Sequence, residues 1–178
     1  MLLLLVPGCA HSPVSTTQPH NHSSNPIVPW LHGKPILLWF ASVHCPISNR
    51  LTPTMLTLAH DYREHVQFYI VYPNPQETEA EIHHHLREFK ITLPHLRDPH
   101  LALARWSRVK VTPEVALYDP QGALIYHGRI NDRFLALGQA RPAPTTHELR
   151  DALDALLQGQ SPQISHAPAV GCYISGIE

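Results

Sequence analysis

The sequence is poor in cysteine and in charge, and each shortage excludes a class of protein. Only three cysteines, Cys9, Cys45 and Cys172, occur in 178 residues. Thiols so few and so far apart exclude a disulfide framework and a zinc ribbon, which need clustered cysteines. Charged residues make up 15% of the chain, and the formal net charge is −1. We therefore expect no nucleic acid partner and no polybasic membrane patch, because both need an excess of basic residues.

The chain does contain 43% hydrophobic residues, together with 18 prolines and 15 histidines. This length and composition predict one domain with its own core, and internal repeats are absent. The predicted organisation is a lipoprotein-like signal (residues 1–9), a disordered tether (10–29), a folded domain (30–158) and a C-terminal tail that carries Cys172 (159–178).

The N-terminal residues indicate export. An apolar run ends at Gly8 and Cys9, which resembles a bacterial lipoprotein signal, although the run is short and no basic residue precedes it. Residues 10–29 are rich in Ser, Thr, His, Asn and Pro and cannot bury enough apolar surface to fold. We therefore expect a periplasmic protein, or one attached to the membrane through a lipidated Cys9.

Hydrophobic patterning predicts alternating strands and helices. Residues 35–41 are continuously apolar, as in a strand buried on both faces, and residues 66–72 repeat this pattern. Further predicted elements are a helix after Cys45, a helix over 77–89, a short helix after Asp98-Pro99, a hairpin over 115–127, and a helix from Thr145 with Glu148 completing a capping box. Strands joined by a helix are parallel, and the hairpin adds antiparallel strands. The fold class is therefore α/β, a sandwich with a mixed central sheet flanked by helices.

Cys45 lies where the first predicted strand gives way to a helix. A thiol at a helix N-terminus sits at the positive end of the helix dipole, near unpaired backbone N–H groups, and both favour the thiolate. Pro46 suits the first helical position, because proline lacks the N–H that would be unpaired there. Pro53 lies inside the helix and should kink it. This combination indicates a redox site with Cys45 as its nucleophile.

These residues resemble the thioredoxin fold, and specifically its redoxin and thiol-specific-antioxidant branch. Thioredoxins place a kinking proline eight residues after the nucleophilic cysteine, as Pro53 is here. They also place a cis-proline beside the active site at the start of a core strand, which makes Pro113 the candidate. The stretch over 73–110 matches the insertion of redoxins. The resemblance covers residues 30–158 and implies a thioredoxin-like three-layer sandwich.

The chain departs from these families at three places. The second cysteine of the thioredoxin dithiol is replaced by Ser48, so no local disulfide can form. The buried acid that thioredoxins carry in the preceding strand is Trp39 here. Peroxiredoxins carry a Pro-x-x-x-Thr-x-x-Cys motif, and Leu38 and Ser42 stand in place of its proline and threonine.

Several residues around Cys45 are candidates for the site. His44 would supply positive charge or shuttle a proton. Ser48 and Asn49 lie in the first helical turn and would either hydrogen-bond the thiolate or cap the helix. Cys172 would resolve a sulfenic acid or mixed disulfide at Cys45, or else remain an unpaired thiol in the tail.

Three functions follow from these residues. The first is a thiol oxidoreductase that needs no organic cofactor and acts on protein thiols and disulfides or on peroxide. The second is copper delivery of the Sco type, in which Cys45, Cys172 and either His44 or His127 would hold Cu(I). The third is a redox-inactive binding module.

Two other features are expected to be structural, and no metal ligands are assigned. Three consecutive helical residues point in different directions, so His83, His84 and His85 cannot converge on one ion and are expected to form a solvated face. Glu114 is expected to point to solvent or to a partner.

Overall fold

The computed structural model describes residue 27 and residues 33–177. The predicted signal, including Cys9, lies outside the described residues. Of the predicted tether only Ile27 is described, and it is fully buried in the core. Among the described residues, no helix has both the length and the apolar character needed to cross a membrane.

Residues 33–177 form four helices and ten strands. The helices are α1 (Pro46–Tyr62), α2 (Glu79–Glu88), α3 (Ala102–Trp106) and α4 (Glu148–Leu157). The strands are β1 (Ile36–Phe40), β2 (Gln67–Tyr72), β3 (His95–Arg97), β4 (Val111–Thr112), β5 (Glu114–Tyr118), β6 (Leu124–Gly128), β7 (Phe134–Ala136), β8 (Gln139–Ala140), β9 (His166–Ala167) and β10 (Cys172–Tyr173).

The central sheet has the strand order β3-β2-β1-β5-β6-β9. Strands β1, β2 and β3 are parallel, whereas β5 is antiparallel to β1 and β6 is antiparallel to β5. This is the mixed sheet that the helix connection and the hairpin predict, and the α/β fold class is confirmed.

The core lies on both faces of this sheet, because successive side chains of a strand point to opposite sides. Leu37 and Trp39 of β1 pack with the apolar faces of α1 and α4. Ile36, Leu38 and Phe40 pack on the other face with α3 and the chain's C-terminal residues. Three layers result, and the predicted apolar face of α1 is buried, at Leu51, Met55, Leu58 and Tyr62.

Two predicted helix starts are wrong. Helix α4 begins at Glu148, and its N-cap His147 makes no side-chain cap. Thr145 therefore lies two residues before the N-cap, where it donates its hydroxyl to Asp132, and the predicted capping box does not form. Helix α3 begins at Ala102, later than predicted, although the Asp98 carboxylate accepts hydrogen bonds from N–H groups of its first turn.

The segment after Gly159, which shows no periodic pattern, contributes two strands. Strand β9 joins the edge of the central sheet parallel to β6. Strand β10 pairs antiparallel with β4, and Cys172 lies opposite Thr112. The C-terminal residues therefore return to the part of the molecule that holds Cys45.

Candidate active site

Cys45 occupies the N-cap of α1, with extended backbone angles (φ −86°, ψ 111°) and Pro46 directly after it. Its side chain is buried, with 1% of the residue exposed. The thiol donates a hydrogen bond to the carbonyl oxygen of Thr112, at 3.0 Å from Sγ. The peptide bond between Thr112 and Pro113 is cis, so the candidate cis-proline adjoins the residue that Cys45 contacts.

Cys172 reaches the same place through β10. Its neighbour Gly171 lies so close to β4 that a Cβ there would stand 2.2 Å from the Thr112 carbonyl oxygen. Only a residue without a side chain permits this approach. Both cysteines are free thiols, Cys45 buried and Cys172 half-buried, and the Cys172 thiol hydrogen-bonds to Cys45.

The two thiols have opposite pKa shifts. Burial raises the pKa of the Cys45 thiol, but hydrogen bonds from the Cys172 thiol and from the Ser48 and Cys172 N–H groups lower it below its usual value. Burial and the hydrogen bond to Cys45 raise the pKa of Cys172 to about 12. Cys45 is therefore the more readily deprotonated thiol of the pair, and Cys172 holds its proton near neutral pH.

The other candidate residues are placed differently. Ser48 is buried, and its Oγ has no hydrogen-bond partner among the described residues, so its hydroxyl can donate to the sulfur. Asn49 instead donates from its amide to the Val43 carbonyl oxygen at 3.2 Å. The His44 imidazole is largely exposed and lies 3.4 Å from Glu81 of α2.

A buried polar chain that the sequence does not reveal connects α2 to the turn before Cys45. His85 lies 2.8 Å from the Tyr72 hydroxyl through Nδ1 and 2.9 Å from the Asn49 amide oxygen through Nε2. Burial lowers the pKa of His85 and so favours the neutral ring. The prediction of a solvated histidine face is wrong for this residue. The spacing in the sequence could have predicted its burial, because His85 lies three residues after the buried Ile82 on the same helix face.

Two buried carboxylates also flank the site. Glu77 accepts a hydrogen bond from the Ser42 hydroxyl at 2.5 Å and another from the Val43 N–H. Thioredoxins carry a buried acid in the strand before the cysteine, and Trp39 takes that position here. Glu77, which follows β2, places a carboxylate beside the turn between β1 and Cys45 instead. Glu114 accepts hydrogen bonds from the backbone N–H groups of Lys110 and Val111, where β4 begins, and burial raises its pKa. The prediction that Glu114 points to solvent is therefore wrong.

The copper alternative requires a histidine beside the two cysteines. His44 contacts Glu81, and the His127 ring stacks on His166 with their centroids 4.2 Å apart. Within residues 33–177, the cysteines are not part of any group of three metal-type ligand atoms that lie within 4.8 Å of one another. The geometry therefore gives the Sco-type site no support.

The mixed sheet, the cysteine at the start of α1 and the adjoining cis-proline define a protein of the thioredoxin fold. A family model described as a thioredoxin-like domain matches residues 31–137. The chain belongs to this thioredoxin-like family, as the resemblance of its sequence predicts. Cys172 lies beyond the matched residues.

Solved structures share this fold. A hypothetical protein from Sinorhizobium meliloti 1021 is 25% identical, with a TM-score of 0.69 over 83% of this chain and 82% of that one. An uncharacterized conserved protein from Geobacillus kaustophilus is 24% identical, with a TM-score of 0.69 over 80% of this chain and 77% of that one. A thioredoxin-like protein solved in its oxidized form is 20% identical, with a TM-score of 0.54 over 71% and 80%. The comparison with curated proteins found no match.

Proposed function

We propose that this protein is a thiol–disulfide oxidoreductase in which Cys45 attacks the substrate and Cys172 resolves the intermediate. One observation carries the proposal. Two thiols that are 127 residues apart in the sequence form a hydrogen-bonded pair at the start of α1. Their opposite pKa shifts assign the roles, because the thiolate is the attacking form.

The first step is disulfide exchange at Cys45. The Cys45 thiolate attacks one sulfur of a substrate disulfide, forms a mixed disulfide, and releases the other substrate sulfur as a thiolate, which takes up a proton. The Ser48 hydroxyl and the positive end of the α1 dipole stabilise the attacking anion.

The second step releases the product. The Cys172 thiol loses its proton and attacks the Cys45 sulfur, which forms the Cys45–Cys172 disulfide and expels the second substrate thiolate. The substrate disulfide is thereby reduced to two thiols, and the protein dithiol is oxidised. An external dithiol then reduces the protein disulfide and completes the cycle.

Access to Cys45 requires the C-terminal segment to move. Cys45 is almost fully buried, and β10, which pairs with β4 beside it, is only two residues long. A strand this short is held by few backbone hydrogen bonds and opens at low cost.

The contacts of Ser42 favour a disulfide over a peroxide as substrate. Ser42 stands where peroxiredoxins carry the threonine of their motif. Its hydroxyl is donated to Glu77, so it is not available to a peroxide oxygen.

The test is turnover of a model disulfide, such as glutathione disulfide, with dithiothreitol as reductant, by the reduced full chain and by C45S, C172S and C9S. We expect C45S to be inactive and C172S to accumulate a mixed disulfide at Cys45 with turnover at least tenfold lower. C9S should behave as the parent. Unchanged turnover in C45S would overturn the proposal. Turnover of hydrogen peroxide but not of the disulfide would make the protein a peroxidase, and inactivity towards both would leave a binding module.

We also propose, from the apolar N-terminal run alone, that the protein is an exported lipoprotein with Cys9 lipidated. Fatty-acid analysis of the membrane fraction tests this. Ester- and amide-linked acyl chains on the parent, absent from C9S, are the expected result, and an unmodified N-terminus in both would contradict it.

A further inference from the structure

Glu79, His83 and His95 bring three potential metal ligands together on the surface formed by α2 and β3. Among the described residues, they are the one such group whose ligand atoms all lie within 4.8 Å of one another. The group shares no residue with the cysteine pair, so it is independent of the proposed function. The sequence pattern around His83 does not reveal it, because the third ligand comes from a strand that the pattern does not predict.

The distances suit one shared ion. Glu79 Oε2 lies 3.8 Å from His83 Nε2 and 3.8 Å from His95 Nε2. Ligands at about 2.0–2.2 Å from a tetrahedral zinc lie roughly 3.3–3.6 Å from one another. All three side chains are partly exposed, so small rotations about their terminal bonds are sufficient to close this difference.

The other oxygen of the Glu79 carboxylate has a separate partner. Arg97 Nε lies 3.8 Å from Glu79 Oε1, and the same guanidinium donates a hydrogen bond to the Glu77 carbonyl oxygen at 2.7 Å. Arg97 therefore holds the carboxylate with Oε2 facing the two imidazoles. Support of this kind, in which a neighbouring group orients a ligand, is common around metal centres.

The backbone that carries the ligands is fixed on both sides. Glu79 and His83 are one helical turn apart, and the start of α2 is held by a capping box between Thr78 and Glu81. His95 lies in β3, opposite Ile70 of β2 in the central sheet. The rings of His83 and His95 meet edge to face, with centroids 5.3 Å apart.

We propose that Glu79, His83 and His95 form a binding site for a divalent first-row transition metal such as Zn²⁺ or Cu²⁺. Two imidazoles and one carboxylate are a ligand set that these ions accept, and the exposed side leaves a further position for water. A bound ion would connect β3 to α2, the helix that also holds His85.

The test is a titration with Zn²⁺, followed by calorimetry, on the full-length chain carrying C9S, C45S and C172S so that thiols do not contribute. E79Q, H83A and H95A are compared with H84A, which removes an exposed histidine from the same helix but outside the group. The histidines of the N-terminal residues are common to all variants.

We expect one Zn²⁺ per chain, with affinity at least tenfold lower in H83A and in H95A, lower in E79Q, and unchanged in H84A. Zn²⁺ should also raise the Tm of the parent and of H84A but not that of H83A or H95A, because only a ligand that binds the folded state stabilises it. Equal affinity in all variants, or an equal loss in H84A, would overturn the proposal. Circular dichroism spectra show whether each variant is folded.

Discussion

At the residue scale, the proposed chemistry depends on the hydrogen bond between the Cys45 and Cys172 thiols, because it lowers the pKa of Cys45 and raises that of Cys172. A buried thiolate is costly unless groups around it donate hydrogen bonds. Here the donors are the Cys172 thiol, the Ser48 N–H at the start of α1 and the Cys172 N–H in β10. The sequence predicts Ser48 in the first turn, but it cannot show which of its two roles applies, because that depends on what packs against it.

Removing the donor at position 172 should raise the pKa of Cys45. In C172A the sulfur loses a hydrogen bond that lowers its pKa, whereas in C172S a hydroxyl replaces the thiol as donor. The pH at which alkylation of Cys45 reaches half its maximal rate should therefore be higher in C172A than in C172S. The measurement is the rate of iodoacetamide labelling from pH 5 to 10, with Cys45 quantified by mass spectrometry. Identical midpoints for the two variants would contradict the assignment of Cys172 as donor.

Glu114 and His85 show what sequence reasoning misses at this scale. Charged and polar side chains are usually exposed, so expecting both in solvent is reasonable. Glu114 is buried because two backbone N–H groups satisfy one of its oxygens, and His85 is buried because Tyr72 and Asn49 satisfy both ring nitrogens. The partners of His85 come from β2 and α1, whereas those of Glu114 lie three and four residues before it. The pattern of apolar and polar residues carries no information about either set of partners.

At the element scale, the site is built by strands of unequal length. The five or six residues of β1 and β2 form continuous apolar runs, which are recognisable in the sequence. By contrast, β9 and β10 have two residues each, too few to show alternation. The tail therefore has no visible pattern, although β10 carries Cys172 to Cys45.

The close approach of Gly171 to β4 gives a direct test of β10. In G171A the new Cβ would stand 2.2 Å from the Thr112 carbonyl oxygen and force the two strands apart. We expect Cys45 to be alkylated several-fold faster than in the parent, because the strand that covers it is displaced. Oxidation to the Cys45–Cys172 disulfide should be correspondingly slower.

G138A is the matched control for this experiment. Gly138 lies in the turn between β7 and β8, and an added Cβ meets no atom within 4 Å there. Its positive φ makes the substitution locally strained, but the strain is remote from β10. Alkylation of Cys45 in G138A should match the parent, and if G171A also matches the parent, β10 does not cover the site.

At the scale of the whole molecule, the fold brings together residues from both ends of the domain. The thioredoxin-like match covers residues 31–137 and includes Cys45, Ser48 and Pro113. Cys172, which we propose as the resolving thiol, comes from the residues after the match, which pass along the edge of the central sheet as β9 before reaching β4. Ser48 replaces the second cysteine of the thioredoxin dithiol, and the C-terminal segment places Cys172 beside Cys45 instead.

This architecture explains why the fold is more predictable than the site. Strand and helix order, the parallel pair and the hairpin all follow from local patterns, and together they specify the mixed sheet. The pairing of Cys45 with Cys172 depends on a contact between segments 127 residues apart. From the residues alone, a resolving cysteine and an unpaired tail thiol remain equal alternatives.

The most direct test is to map the cysteines of the full chain after mild oxidation. Reduced protein is treated with one equivalent of a mild oxidant, alkylated, digested without reductant and examined by mass spectrometry. Our proposal predicts a peptide pair linked by Cys45–Cys172 in the monomer, with Cys9 free of any disulfide. Alkylated Cys45 and Cys172 in the oxidised sample, or disulfides formed only between chains, would contradict it.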